Sequence, residues 1–209
     1  NHYLNEKTYL EIIKKIKLKI TKKIDLIFWK QDNLSNVQNR NMKSCLFSIE
    51  KNYGILRKNK IEKNFLPQTK YEKNILIRRG IFSGKYHFFY KKIINKIHKE
   101  SRWTLGCLYF KGKVFDKMPN KEIIFNASNF SDSLLHLVGY VKIKGFAINI
   151  VCLEKIIKDI CSKKRRIFYF DYNILKKYNI PKFVLAEVLV YIGLVKIAGT
   201  INISYWKKK

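Results

Sequence analysis

Acidic side chains are scarce in this chain. Fifteen Asp and Glu stand against 44 Lys and Arg, a formal net charge of +29 over 209 residues. Such an imbalance leaves fold open and points to partners: a polyanion that releases counterions on binding, meaning DNA, RNA or an anionic membrane surface. Lys, Ile, Asn and Tyr are abundant together, as codon drift in an AT-rich genome produces. Drift exchanges Arg for Lys, but it accounts less well for the shortage of Asp and Glu. The carboxylates that remain, among them Asp116, Asp132, Glu154, Asp159, Asp171 and Glu187, do not cluster in the sequence. No general acid–base pair is therefore written into it.

Other absences narrow the chemistry further. Cysteine occurs four times, at Cys45, Cys107, Cys152 and Cys161, with no C-x-x-C pair and no His at ligand spacing. Reduced, mostly buried thiols of a cytosolic-type protein are expected. The four histidines, His2, His87, His98 and His136, are scattered and form no H-E-x-x-H, so neither a metal site nor a cofactor is expected. Neither G-x-x-x-x-G-K-[ST] nor G-x-G-x-x-G occurs, which removes the common phosphate loops and with them an ATP site. The longest apolar run, residues 188–195, is far short of the roughly 20 that span a bilayer. The chain opens on Asn1-His2-Tyr3 with no signal peptide, and it reads as a fragment or processed product of cytoplasmic origin. No internal repeat stands out.

What is present suffices for a packed core. Apolar residues make up 47% of the chain, including 14 Phe, 13 Tyr and 3 Trp, too many for a disordered basic tail. Leu10, Ile13, Ile16, Ile20, Ile24 and Ile27 recur at helical spacing and predict an amphipathic helix over 5–28. Further helices are predicted over 42–53, 60–66, 68–79, 131–138 and 152–161. The aromatic stretch 81–90, with Gly84 inside it, predicts an extended segment or hairpin. Residues 139–143 and 146–150 alternate around Lys144-Gly145 and predict another. Gly106, Gly112 and Pro119 mark 105–122 as a linker. It separates a helical domain, 1–104, from a small α/β domain, 123–209. In the latter, Asp171 caps a short helix to 178, Pro181 opens a second helix, Gly193 ends it, and 194–203 supplies two short strands. Phe183, Leu185 and Val188 read as core. The fold class expected is α+β, mainly helical, with a helix-turn-helix or winged-helix character at the C-terminal end.

Basic residues interleaved with aromatics supply the candidate site. Lys85, Lys91 and Lys92 bracket the rings of 86–90, where stacking faces stand beside phosphate-binding ammonium groups. Arg78 and Arg79 precede that segment. Lys163, Lys164, Arg165 and Arg166 form a cationic run at the end of a predicted helix, placed for phosphate and for the helix dipole. These nine are the predicted nucleic-acid-binding residues.

Four stretches carry a resemblance. They are 43–56, ending Tyr53-Gly54-Ile55-Leu56; the run Ile75-Leu76-Ile77-Arg78-Arg79-Gly80-Ile81-Phe82-Ser83-Gly84-Lys85-Tyr86; 134–153, with Val138-Gly139-Tyr140 and Gly145; and 184–195, with Ile192-Gly193-Leu194. Their order resembles the C-terminal region of superfamily 2 DExH-type helicases of alphaproteobacteria, relatives of the mitochondrial degradosome helicase. The resemblance spans most of the chain and contains no catalytic motif. It departs near Phe82-Ser83, where the family carries a second Arg. It implies an accessory nucleic-acid-binding region whose ATP-driven motor domains lie upstream and would be its partners. A stand-alone basic RNA-binding protein of ribosomal or organellar type is the alternative, and a nuclease would require carboxylates that converge only in three dimensions.

Overall fold

The computed structural model describes residues 37–95, 99–111, 118, 123–161, 167–171, 178, 180–199 and 203–208, with a few helical positions between 11 and 22. The apolar stripe expected over 5–28 and the basic run 163–166 lie outside the described residues. The described elements run in chain order. The first group is α1 (Arg40–Lys51), β1 (Ile55–Arg57), α2 (Lys70–Arg78), β2 (Ile81–Ser83) and β3 (His87–Tyr90). The second is α3 (Lys99–Lys111), β4 (Ile124–Asn126), α4 (Asp132–Leu137), β5 (Tyr140–Ile143) and β6 (Phe146–Asn149). The third is α5 (Ile150–Cys161), β7 (Ile167–Asp171), α6 (Lys182–Tyr191), β8 (Leu194–Gly199) and β9 (Ile203–Lys208). The α+β class is as expected.

These three groups are one motif used three times. Each is a helix, a strand, a second helix and a two-strand hairpin. Each makes a three-stranded antiparallel sheet whose last strand lies in the middle: β1-β3-β2, β4-β6-β5 and β7-β9-β8. The joint between second helix and hairpin is the same each time. The helix stops on a glycine at positive φ, namely Gly80 (+67°), Gly139 (+82°) and Gly193 (+85°). Its N–H donates to the carbonyl three residues back, on Ile77, His136 and Val190 at 2.9–3.0 Å. Only glycine takes that backbone without penalty. This internal repeat corrects the reading that none exists. The segments between first strand and second helix differ in length (58–69, 127–131 and 172–181), so the common positions never fall at a constant spacing.

The glycine joints make a graded prediction. A Cβ at Gly80 or Gly193 meets nothing within 4 Å, so Gly80→Ala and Gly193→Ala should each cost only the left-handed backbone penalty, about 1–2 kcal/mol. A Cβ at Gly139 would sit 3.0 Å from the Ile93 carbonyl, so Gly139→Ala should cost more than either. Urea midpoints of the three variants check the order.

Packing explains why the motifs hold together. In α5 the residues Ile150, Leu153, Ile156, Ile157 and Ile160 are buried, a stripe at helical spacing whose members each contribute roughly 1.5–3 kcal/mol. They join a core to which all three motifs contribute, with Leu46, Ile49, Phe88, Val141, Leu185 and Val188. The second motif has its own small core around Trp103, Leu134 and Tyr140. Its β5 alternates faces: Tyr140 points into that core, while Val141 and Ile143 turn to the shared one.

Several local expectations change. In place of a helix over 60–66 there are two 3-10 turns, Lys58–Lys60 and Lys63–Phe65; Pro67 disfavours helical backbone at Leu66, which is extended and ends the second turn. Residues 105–111, expected in the linker, continue α3. Gly106 is there for close packing, since a Cβ would fall 2.6 Å from Leu134. Asp171 ends β7 and pairs with Ile203; the short helix expected between it and residue 178 lies outside the described residues. Phe183 is 59% exposed, unlike Leu185 and Val188. Its ring meets Phe146 edge-on at 5.3 Å.

Candidate nucleic-acid interface

The second helix of the first motif, α2, is built to show its charge. Thr69 caps it, accepting from the Glu72 N–H at 3.1 Å. The Glu72 carboxylate turns back to accept from the N–H groups of Thr69 (2.9 Å) and Gln68 (2.8 Å), a reciprocal capping box. Asn39, which caps α1, donates its side-chain amide to the same carboxylate at 2.9 Å. The Thr69 and Gln68 N–H groups hold the Glu72 carboxyl below its usual range. Thus the single acid of α2 is consumed where two helix N-termini meet.

The opposite face is basic and open. Lys70, Tyr71, Lys73, Asn74, Ile77 and Arg78 are exposed, while Glu72 and Leu76 are buried. Tyr71 and Ile77 are 70% and 69% exposed. Beside this face lies a cavity of about 440 Å³, lined by Gln38, Asn39, Tyr71, Ile75, Arg78 and Arg79 among others. It offers guanidinium groups and a ring edge near the start of α1, where a phosphate is favourable.

The predicted residues divide. Arg78 is exposed at the end of α2, and Arg79 is its half-buried C-cap. Lys91 and Lys92 are exposed just after β3. The Lys91 N–H donates to the Gly80 carbonyl at 2.7 Å, which brings these two lysines to the same end of the hairpin as Arg78 and Arg79. Lys85 sits at the other end, in the β2–β3 turn. Its ammonium donates to the Cys161 carbonyl at 3.3 Å, and its N–H to Glu154. Lys70, Tyr71 and Lys73 escaped the sequence reading. The capping pattern Thr69-x-x-Glu72 was the available signal, because it fixes which side of the helix faces out.

A second polar cluster was not foreseen. His87, 1% exposed in β3, holds Glu154 of α5 through Nδ1 at 2.7 Å and the Tyr191 hydroxyl of α6 through Nε2 at 2.7 Å. Glu154 also accepts from the N–H groups of Lys85 and Tyr86. A Cβ at Gly84 would fall 2.4 Å from its carboxyl, so any side chain there would push the carboxylate off its donors. Arg57 completes the cluster, its guanidinium 3.8 Å above the Tyr191 ring and bonded to the Tyr191 carbonyl.

The carboxylate, imidazole and hydroxyl stand in the order of a nucleophilic triad, yet the electrostatics oppose one. Burial pushes the Tyr191 phenol up to about 12, so it is a proton donor and a poor nucleophile. Burial alone would raise Glu154 as well. The bonds from His87 and the two N–H groups outweigh it and keep the carboxyl below its usual range. The cluster is a clamp joining the first and third motifs. Cys45 is equally unreactive, its thiol raised to about 11 by burial.

These groups set an acid limit. Glu154 and Glu72 have carboxyls held low, and burial holds His136 of α4 below its ordinary value. A folded-state pKa below the unfolded one gives stability that is present above the unfolded pKa and lost as pH falls. Unfolding free energy should therefore decline from about pH 6.5 downward, first through His136 and then, near and below pH 4.5, through the two carboxylates. His136→Gln should flatten the upper part of that slope in urea titrations at pH 7.5, 6 and 5.

Comparison of the chain with family models, curated protein sequences and solved structures returns no match. Among the described residues no helix is long and apolar enough to cross a membrane, and no group of three or more His, Cys, Asp or Glu could hold a metal ion.

Proposed function

We propose that this chain is a nucleic-acid-binding region made of three winged-helix-type motifs, of which the first makes the principal contact. The observation that carries this reading is the outward face of α2: Lys70, Lys73 and Arg78 with Tyr71 beside them, and the only acid turned inward. The order helix, strand, helix, hairpin, with the last strand central in the sheet, supports a winged-helix reading, in which the second helix would meet the nucleic acid as the recognition helix of a helix-turn-helix does. The other two motifs are less suited to contact. In α6, Phe183 and Val190 are exposed and Glu187 is half-buried. In α4 only six residues are helical, three of them buried. They act as scaffold.

The resemblance to the C-terminal region of DExH-type helicases supports a role beside an ATP-driven motor in the cytoplasm, holding a DNA or RNA strand while upstream domains translocate. Labelled single- and double-stranded DNA and RNA, titrated across a salt series, test the binding reading. Affinity should fall by about three to five decades between 50 and 200 mM salt if six to ten phosphates are contacted. Negligible binding at low salt would refute it and leave the positive charge as codon drift.

A further inference from the structure

We propose that the cavity where the three motifs meet is a binding site for a phosphate-class oxyanion, supplied free or as the terminal phosphate of a strand. The cavity has a volume of about 150 Å³, well above the roughly 10–15 Å³ that admits one water. Each motif lines it: Arg57 and Lys60 from the first, Asp132, His136 and Lys142 from the second, and Tyr191 from the third. It shares no residue with the cavity beside α2, so it stands independently of that interface.

Its chemistry selects an anion. Three cationic side chains face one carboxylate, and that carboxylate, Asp132, is exposed like Lys60, so the two form the mouth. Arg57 is held rigid over the Tyr191 ring and by the Tyr191 carbonyl. Its buried Nε has no hydrogen-bond partner among the described residues. A buried guanidinium donor without an acceptor is costly, and an oxyanion in the cavity would supply the acceptor in the geometry arginine favours. His136 adds a second fixed group. Its Nδ1 donates to the Asn52 carbonyl at 2.9 Å, which leaves Nε2 for a ligand. The Lys142 ammonium is already spent on the Ser128 and Phe130 carbonyls at 3.1 and 2.9 Å and contributes field alone. His87, the other imidazole on the wall, has both nitrogens engaged by Glu154 and Tyr191.

Occupancy would couple to a proton. Burial, together with Lys60 and His87, depresses His136, while Asp132 and the Asn52 bond oppose them. An oxyanion at Nε2 would favour the imidazolium and draw the His136 pKa upward. Because the wall is assembled from all three motifs, the anion would also bind only the folded arrangement and stabilise it.

The test follows the His136 ring nitrogens by NMR in the full chain. Samples are titrated through pH 5–8 with inorganic phosphate, with chloride at matched ionic strength, and with short oligonucleotides bearing a 5′-phosphate or a 5′-hydroxyl. Expected is a saturable upward pKa shift with phosphate and none with chloride. In Lys60→Ala, an exposed position that leaves the fold intact, the phosphate needed should rise by about tenfold, the loss of one charge-assisted contact. A shift at lower concentration with the 5′-phosphorylated strand than with inorganic phosphate assigns the site to strand ends; a shift with inorganic phosphate alone assigns it to the free anion. The proposal is overturned if no phosphate-dependent shift occurs, if chloride or the 5′-hydroxyl strand acts equally, or if Lys60→Ala changes nothing.

Discussion

Glu154→Ala should destabilise the fold by about 3–5 kcal/mol, the cost of removing one member of a buried, hydrogen-bonded pair. The carboxylate accepts from three donors at once, His87 Nδ1 and the N–H groups of Lys85 and Tyr86. Removing it strands the His87 donor in a site only 1% exposed and frees the β2–β3 turn from α5. Glu154→Gln keeps an acceptor oxygen but loses the charge, and it should cost less, on the order of 1–3 kcal/mol. A double-mutant cycle with His87→Ala should return a coupling of about 0.5–3 kcal/mol, and amide exchange at Lys85 and Tyr86 should accelerate. Urea midpoints for the set decide the matter. A loss below about 1 kcal/mol in Glu154→Ala would mean that the carboxylate behaves as a solvated surface group, and the clamp would have to be abandoned.

The second large effect is expected in binding. The triple variant Lys70→Ala, Lys73→Ala, Arg78→Ala removes three cations from one face of α2 without touching the capping carboxylate or the buried Leu76. If each meets a phosphate, the slope of log affinity against log salt should shrink by about 2–3, at roughly 0.7–0.9 per contact. A control variant, Lys51→Ala, Lys158→Ala, Lys196→Ala, removes the same charge from exposed positions elsewhere and should leave that slope nearly unchanged. Tyr71→Ala adds a separate readout: stacking on an unpaired base is worth about 1–3 kcal/mol, so its loss should weaken single-strand binding and spare duplex. Equal losses in the two triple variants would show that overall charge, and no particular face, attracts the nucleic acid.

Periodicity and turn chemistry, which act over a few residues, made many elements legible in the sequence. The helix at 131–138 appears as Asp132–Leu137, the aromatic stretch 81–90 as the β2–β3 hairpin, and the alternation around Lys144-Gly145 as β5–β6. Gly193 does end a helix. Where two local signals conflicted, the reading failed. Gly106 looked like a breaker but is a contact point for Leu134 inside α3, and Phe183 looked like core but faces outward. A glycine or a phenylalanine has the same local preference whether a neighbour is present or not, so only packing distinguishes those cases.

The sequence by itself determined the net charge, the absence of a common phosphate loop, and the local grammar of caps and hairpins, because each depends on residues adjacent in the chain. Tertiary structure alone decided the threefold use of one motif, since its common positions are few and the connecting segments unequal. It alone gathered Arg78, Arg79, Lys91 and Lys92 at one end of a hairpin while sending Lys85 to the other. It alone joined His87 to Glu154 and Tyr191, which lie 67 and 104 residues away. Hydrogen bonds of that range are set by how the sheets stack, and stacking follows the summed burial of apolar faces that no short window of sequence contains.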